Sequence, residues 1–228
     1  MITPLHYTAI VFDLDGTLID TWPSLFAAAQ AVAPGCAPRP DVLRHALSEG
    51  IAPMFARAAR HLAPTGPERA ALASAMHHDY LTRKLTDAQP YDGVDIALKR
   101  LAASGYPLAL CTNRDRASTE ILLRHLGWQS LFRHTQCLDD GLPAKPDPRP
   151  LIATALHVAE HPSQVLFVGD SHIDAACAEA AGMHFAAHLG GYHTHAHDLR
   201  PAVVWYRHID ELSQRLAQPL PVMEVNHD

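Results

Sequence analysis

The chain has no C-x-x-C pair, and its four cysteines, Cys36, Cys111, Cys137 and Cys177, stand 75, 26 and 40 residues apart. That spacing fits neither a zinc knuckle nor a small disulfide scaffold, and buried free thiols are the ordinary reading. Long hydrophobic runs are missing too. None approaches the ~18 residues a membrane span needs, and the start, MITPLHYTAIVF, lacks the basic-then-apolar order of a secretory signal. The expectation is a cytoplasmic protein with no membrane partner. Basic residues are in the minority, 18 Lys and Arg against 24 Asp and Glu, for a formal net charge of −6. A broad polyanion-binding surface is not expected on such a chain, and nucleic acid is not a predicted partner. Internal repeats and low-complexity segments are absent, apart from a histidine-dense stretch at 188–197.

What is present is apolar material, 48% of 228 residues, enough for a sizeable core. At about 150 residues per domain the length suits one core with a large insertion. Short apolar runs at 8–13 (TAIVFD), 107–112 (PLALCT) and 165–169 (VLFVG) read as buried strands, with weaker ones at 184–189 and 202–206. Between them Val94, Leu98 and Leu101 fit one helical face, as do Leu122 and Leu126. Alternating strands and helices predict a parallel α/β sheet. The region 22–86 differs. Trp22, Leu25, Phe26 and Ala29 share a helical face, as do Ile51, Met54, Phe55, Ala58, Ala59 and Leu62, and then Leu72, Met76 and Tyr80. Proline-containing breaks at 34–40 and 64–67 separate them. The expected division is an α/β core at 1–20 and 88–228, with an all-helical cap inserted at 21–87.

Polar groups stand where the strands end. The first strand runs into Asp13-Leu14-Asp15-Gly16-Thr17, two carboxylates in a turn that Gly16 can tighten. Such a pair can serve as nucleophile and general acid/base, or it can form an Asx-type turn. Thr112 and Asn113 end the second strand and fit either a phosphate cradle or a helix N-cap. Asp170 and Ser171, followed by Asp174, end the third, and alone they too fit a cap with an acidic first turn. Lys145 sits among Pro143, Pro146, Pro148 and Pro150, an odd setting for a merely solvated lysine. Parallel strands open their carboxyl edges onto one crevice, so Asp13, Asp15, Thr112, Lys145 and Asp170 could meet there. Three carboxylates in one place call for a hard cation, and oxygen-only ligands suit Mg²⁺.

Taken in this order, DLDGT, the strand-end Thr112, Lys145 and GDSHIDAACAEAAG resemble the four motifs of the haloacid dehalogenase superfamily over nearly the whole chain. Within it the chain is most similar to bacterial phosphoglycolate phosphatases, through VFDLDGTLIDT, CTN, AKPDPRPL and VLFVGDS, with GYHTHAHD matching their Gly-Tyr segment. The resemblance implies a Rossmann-like parallel sheet core with a helical cap, and Mg²⁺-dependent hydrolysis of a small phosphomonoester. It also implies roles. Asp13 would attack phosphorus to form an aspartyl-phosphate, and Asp15 would protonate the leaving oxygen and then deprotonate water. Mg²⁺ would sit on the Asp13 carboxylate, the Asp15 main-chain carbonyl and Asp170. Thr112 and the Asn113 amide would hold phosphate oxygens, Lys145 would balance charge, and Asp174 would orient Lys145 or a metal-bound water.

Other readings stay open. Asp15 argues against dehalogenases, which lack an acid there, and Thr17 resembles phosphatases more than the β-phosphoglucomutase branch. A phosphotransferase of that branch, a sugar or amino-sugar phosphate phosphatase, and a non-catalytic binding module remain alternatives, as do monomer and homodimer. The cap segment Ser48-Glu49-Gly50 and the following helix with Arg57 is the expected specificity element. An inward Glu49 would repel a substrate carboxylate, and Ser48 and Glu49 would instead accept from sugar hydroxyls. Alternatively Glu49 faces solvent and the helix N-terminus receives an anion, with Arg57 or Arg60. His188, His193, His195 and His197 are read as a polar loop rather than a transition-metal site, because Gly190 and Gly191 break regularity.

Overall fold

Four apolar residues and a following acid make β1 (Ala9–Phe12), whose side chains are all buried. In the computed structural model the described residues are 7–34, 43, 46, 47, 49–60, 62, 63 and 65–216. After β1 come β2 (Ile19–Asp20), α1 (Trp22–Val32), α2 (Ile51–Arg60) and α3 (Gly66–Asp79). A π-helical turn at Tyr80–Lys84 then leads to β3 (Gln89–Pro90). The rest alternates: α4 (Val94–Ala103), β4 (Leu108–Cys111), α5 (Arg116–His125), β5 (Phe132–Gln136), α6 (Pro148–Leu156) and β6 (Val165–Gly169). It closes with α7 (His172–Ala180), β7 (His184–His188), β8 (Ala202–Tyr206) and α8 (Ile209–Leu216). Among the described residues no helix is long and apolar enough to cross a membrane.

Six strands form one parallel sheet in the order β5-β4-β1-β6-β7-β8, the Rossmann-like α/β architecture expected. Side chains alternate across it. Ile10 and Phe12 of β1 pack with Leu98, Leu101, Leu122 and Leu212 on one face, while Ala9 and Val11 pack with Leu151, Ala155, Ala175 and Ala178 on the other. Both faces are therefore covered by helices, which is why the interior strands read as continuous apolar runs. Because β1 lies between β4 and β6, the carboxyl ends of all three adjoin, the switch-point arrangement that opens a crevice. The chain enters and leaves the helical insertion through β2 and β3, which pair antiparallel, Ile19 with Pro90 and Asp20 with Gln89.

The sequence patterning misses β5. Its residues, Phe-Arg-His-Thr-Gln, are buried only at the two ends, because this edge strand has one neighbour and needs no continuous apolar run. The plainer capping readings divide at two helix starts. Asp115, not Thr112 or Asn113, caps α5 by accepting from the Ser118 N–H at 2.9 Å. Ser171 does cap α7, in a reciprocal box with Asp174.

Candidate active site

Asp13 follows β1 directly, and its N–H donates to the Val168 carbonyl of β6 at 2.8 Å, so it extends the sheet ladder by one step. Its carboxylate accepts from Lys145 Nζ at 2.7 Å, and the same ammonium donates to Asp174 at 2.6 Å. All three side chains are buried. The lysine is held there by its backbone. Asn113 Oδ1 accepts from the Lys145 N–H at 2.9 Å and Asn113 Nδ2 donates to the Lys145 carbonyl at 3.0 Å. Asp170, one residue past β6, accepts from the Thr17 hydroxyl at 2.9 Å and from the Tyr192 N–H at 2.6 Å. Asp13, Asp15, Thr112, Asn113, Lys145, Asp170 and Asp174 thus line one cleft at the carboxyl edge of the sheet.

Charge in this cleft does not balance. Asp13, Asp170 and Asp174 offer oxygens within 4.8 Å of one another, and Lys145 is the single ammonium among them. Burial pushes the Asp13 carboxyl up to about 7, although Lys145 pulls it down. Burial also drives Asp170 well above the carboxylate range, reinforced by the charges of Asp174 and Asp13. For Lys145 burial acts downward, but the two aspartates outweigh it and hold its pKa well above the usual value. An all-oxygen, net-negative, buried cluster is what a hard divalent cation needs, so the residues present fit one.

Asp15 lines the same cleft but has partners of its own. Its carboxylate takes both arms of the Arg114 guanidinium, Nε at 2.9 Å and Nη2 at 2.5 Å, and also accepts from the Thr21 hydroxyl. Sequence reasoning missed Arg114. The signal was its place directly after Thr112-Asn113, where an arginine at a buried strand end needs a carboxylate partner. Tyr192 stands in the Gly-Tyr segment after Gly191. Besides its amide on Asp170, its hydroxyl accepts from the Thr21 and Trp22 N–H groups at 2.7 and 3.0 Å, satisfying the start of α1.

Toward the helical insertion the cleft is lined by Leu47, Gly50 and Ile51. Glu49 and Arg57 stand apart from the residues that line the cleft. Glu49 is exposed and pairs with Arg57 at 3.7 Å, and neither lines the cleft, since a carboxylate keeps its hydration more cheaply on the rim than in a narrow acidic pocket. Ser48 lies outside the described residues, as does Cys36. The histidines separate as well. His188 is buried, with its ring nitrogens 2.8 Å from the Gly16 carbonyl and 3.2 Å from that of Arg207. His195 and His197 stack on each other 5.2 Å apart.

A Rossmann-like core with an acid pair just past its first strand, a strand-end threonine, a buried lysine and a further acid pair defines a hydrolase of the haloacid dehalogenase type. The family model described as haloacid dehalogenase-like hydrolase matches residues 10–188, and the chain belongs to that family. It is 36% identical over 213 residues to a phosphoglycolate phosphatase of Cereibacter sphaeroides, covering 91% of this chain and 96% of that one. It is 33% identical over 191 residues to the N-acetylmuramic acid 6-phosphate phosphatase of Pseudomonas aeruginosa, covering 82% and 84%. A crystal structure described as a predicted phosphoglycolate phosphatase from Haemophilus somnus shares the fold, with a TM-score of 0.82 at 23% identity over 92% of this chain and 97% of that one. The protein is an enzyme, a phosphatase of this family.

Proposed function

We propose that the enzyme is a Mg²⁺-dependent phosphomonoesterase working through an aspartyl-phosphate on Asp13, with 2-phosphoglycolate as the favoured substrate. The observation that carries the chemistry is the buried Lys145 ammonium bridging Asp13 and Asp174, with Asn113 clamping its backbone. In this reading the Asp13 carboxylate attacks phosphorus as the bond to the leaving oxygen breaks, and Asp15 gives that oxygen its proton. Asp15 then takes a proton from water, whose oxygen bonds phosphorus as the Asp13–phosphorus bond breaks. Thr112 and the Asn113 amide hold the phosphoryl oxygens, and Lys145 offsets the negative charge shared between nucleophile and phosphoryl group. Asp13, Asp170 and the Asp15 main-chain carbonyl would hold the Mg²⁺, with Asp174 keeping Lys145 in line. When bound, the ion screens the charge of the phosphoryl group approaching three acids. The helical insertion between β2 and β3 acts as the cap, and the enzyme is read as cytoplasmic.

For the substrate, the apolar cap wall of Leu47, Gly50 and Ile51 favours a small leaving group with little to recognise. Glu49 pairs with Arg57 outside the cleft, which removes its repulsion of a substrate carboxylate. The start of α2 at Ile51 faces the same cleft and suits an anionic end group. The likeness to the Cereibacter enzyme supports the same choice. A second reading, a sugar-acid phosphate, rests on the Pseudomonas relative. The experiment is kcat/KM over a panel of phosphomonoesters with Mg²⁺, on wild type, Asp13→Asn and Glu49→Gln. Phosphoglycolate should lead the panel, Asp13→Asn should be inactive, and Glu49→Gln should match wild type within about twofold, as rim charges do. A sugar phosphate in the lead would overturn the substrate, and an active Asp13→Asn the mechanism.

A further inference from the structure

Arg114 is among the most deeply buried charges in the protein, 2% exposed, and each of its three guanidinium nitrogens donates to a partner. Nε and Nη2 fork onto the Asp15 carboxylate, while Nη1 donates to the Tyr80 hydroxyl at 2.8 Å. Its backbone belongs to the core. The Arg114 N–H donates to Thr112 Oγ1 at 3.2 Å, and its carbonyl accepts from Leu138 at 2.9 Å. Tyr80 belongs to the helical insertion, where α3 gives way to the π-helical turn on the way out to β3. Thr21, which also donates to Asp15, sits just past β2 on the way in. The Asp15 carboxylate is therefore gripped at both passages between core and insertion, by Thr21 directly and by Tyr80 through Arg114.

We infer that Arg114 is a positioning residue that ties the Asp15 carboxyl to the cap, so that movement of the cap against the core repositions the group that transfers the proton. The inference rests on the reading of Asp15 as that group. A forked guanidinium fixes both carboxylate oxygens in one plane, which a lysine cannot do. With the cap on the other end of the fork, leaving-group protonation is coupled to cap closure over a substrate, and water is excluded before the proton moves.

The test separates this coupling from a merely structural role through leaving-group dependence. Expulsion of p-nitrophenolate needs no proton, whereas the glycolate alkoxide does. For Arg114→Met, kcat/KM for phosphoglycolate should fall by about 100-fold, in the range general acid catalysis contributes, and for p-nitrophenyl phosphate by less than about 10-fold. Arg114→Lys should fall between. Tyr80→Phe removes only the hydroxyl that links the fork to the cap. It should lower the phosphoglycolate value by about 5-fold, the worth of one hydrogen bond, and leave p-nitrophenyl phosphate within about twofold. With p-nitrophenyl phosphate the Arg114 variants should also show a pre-steady-state burst, because Asp15 is misplaced for activating water. Equal losses on both substrates in Tyr80→Phe and Arg114→Lys would overturn the inference while leaving the reading of Asp13 and Asp15 standing. If Asp15→Asn itself shows no leaving-group dependence, the reading fails and takes the inference with it.

Discussion

Asn113 acts through its neighbour. Its side-chain amide makes both hydrogen bonds to the Lys145 backbone, so the loop that carries the lysine is pinned to the end of β4. Asn113→Ala would leave a buried N–H and carbonyl unpaired, at a cost of about 1–3 kcal/mol in stability. The larger effect should fall on catalysis, since Nζ must stay at 2.7 Å from Asp13 and 2.6 Å from Asp174. A drop of about 10- to 100-fold in kcat/KM is expected, equivalent to losing one or two hydrogen bonds' worth of positioning. Steady-state kinetics beside a urea melt would check it, and unchanged kcat/KM with lowered stability would contradict it. The sequence placed Asn113 at the strand end for its backbone amide. Its side-chain role was not legible, because it depends on the proline-rich segment 143–150 folding back across the crevice, a contact 32 residues away in sequence. Arg114 escaped for a similar reason. A single arginine after a motif looks like a surface residue until its partners, Asp15 and Tyr80, arrive from two other segments.

At the scale of elements, what could be read depended on periodicity. The interior strands β1, β4 and β6 are apolar throughout, and their ends named the acids and the threonine. The edge strand β5 is mostly polar and left no such trace. The segment after β7 was legible as a loop but not in its purpose. Gly190 and Gly191 do more than interrupt a pattern. A Cβ at Gly191 would collide with the Asp170 carboxylate, and one at Gly190 with the His188 ring. The loop must pass that close for the Tyr192 N–H to reach Asp170 at 2.6 Å, and only glycine leaves the room. Gly191→Ala should therefore push Asp170 out of place and raise the Mg²⁺ concentration for half-maximal activity about 10- to 100-fold, as loss of a ligand's supporting shell does. Gly66→Ala makes the control, because nothing lies within 4 Å of a Cβ there. Activity titrations with Mg²⁺ decide it, and a Gly191→Ala profile equal to that of Gly66→Ala would count against the argument.

Over the whole molecule, the acid cluster makes stability, metal and pH a single problem. Burial raises the Asp13 carboxyl to about 7 and Asp170 well above the carboxylate range in the metal-free protein. A carboxyl whose folded pKa lies above its unfolded one holds its full contribution below about pH 4, near the unfolded value. It loses that contribution as pH rises through the folded value, here near 7 for Asp13. The metal-free enzyme should thus be strained at pH 8 by charges it cannot shed. Mg²⁺ supplies the missing positive charge, and its binding competes with protons. At a concentration 100 times its Kd it should add about 2.7 kcal/mol. For a chain of this length that corresponds to a rise in Tm of ~5–10 °C. The rise should be clearly smaller at pH 6 than at pH 8. Histidines add a pH dependence of the opposite sign. His77, His134, His188 and His193 are all lowered by burial, so acid costs stability through them. Their contribution is common to both states and cancels when melts with and without Mg²⁺ are compared at each pH. Asp170→Asn should abolish most of the Mg²⁺ gain. At pH 8 it should also raise the metal-free Tm, because one of the three mutually repelling charges is gone. Melts showing the same Mg²⁺ gain at both pH values, or an undiminished gain in Asp170→Asn, would mean that the cluster of Asp13, Asp170 and Asp174 is not where the cation sits.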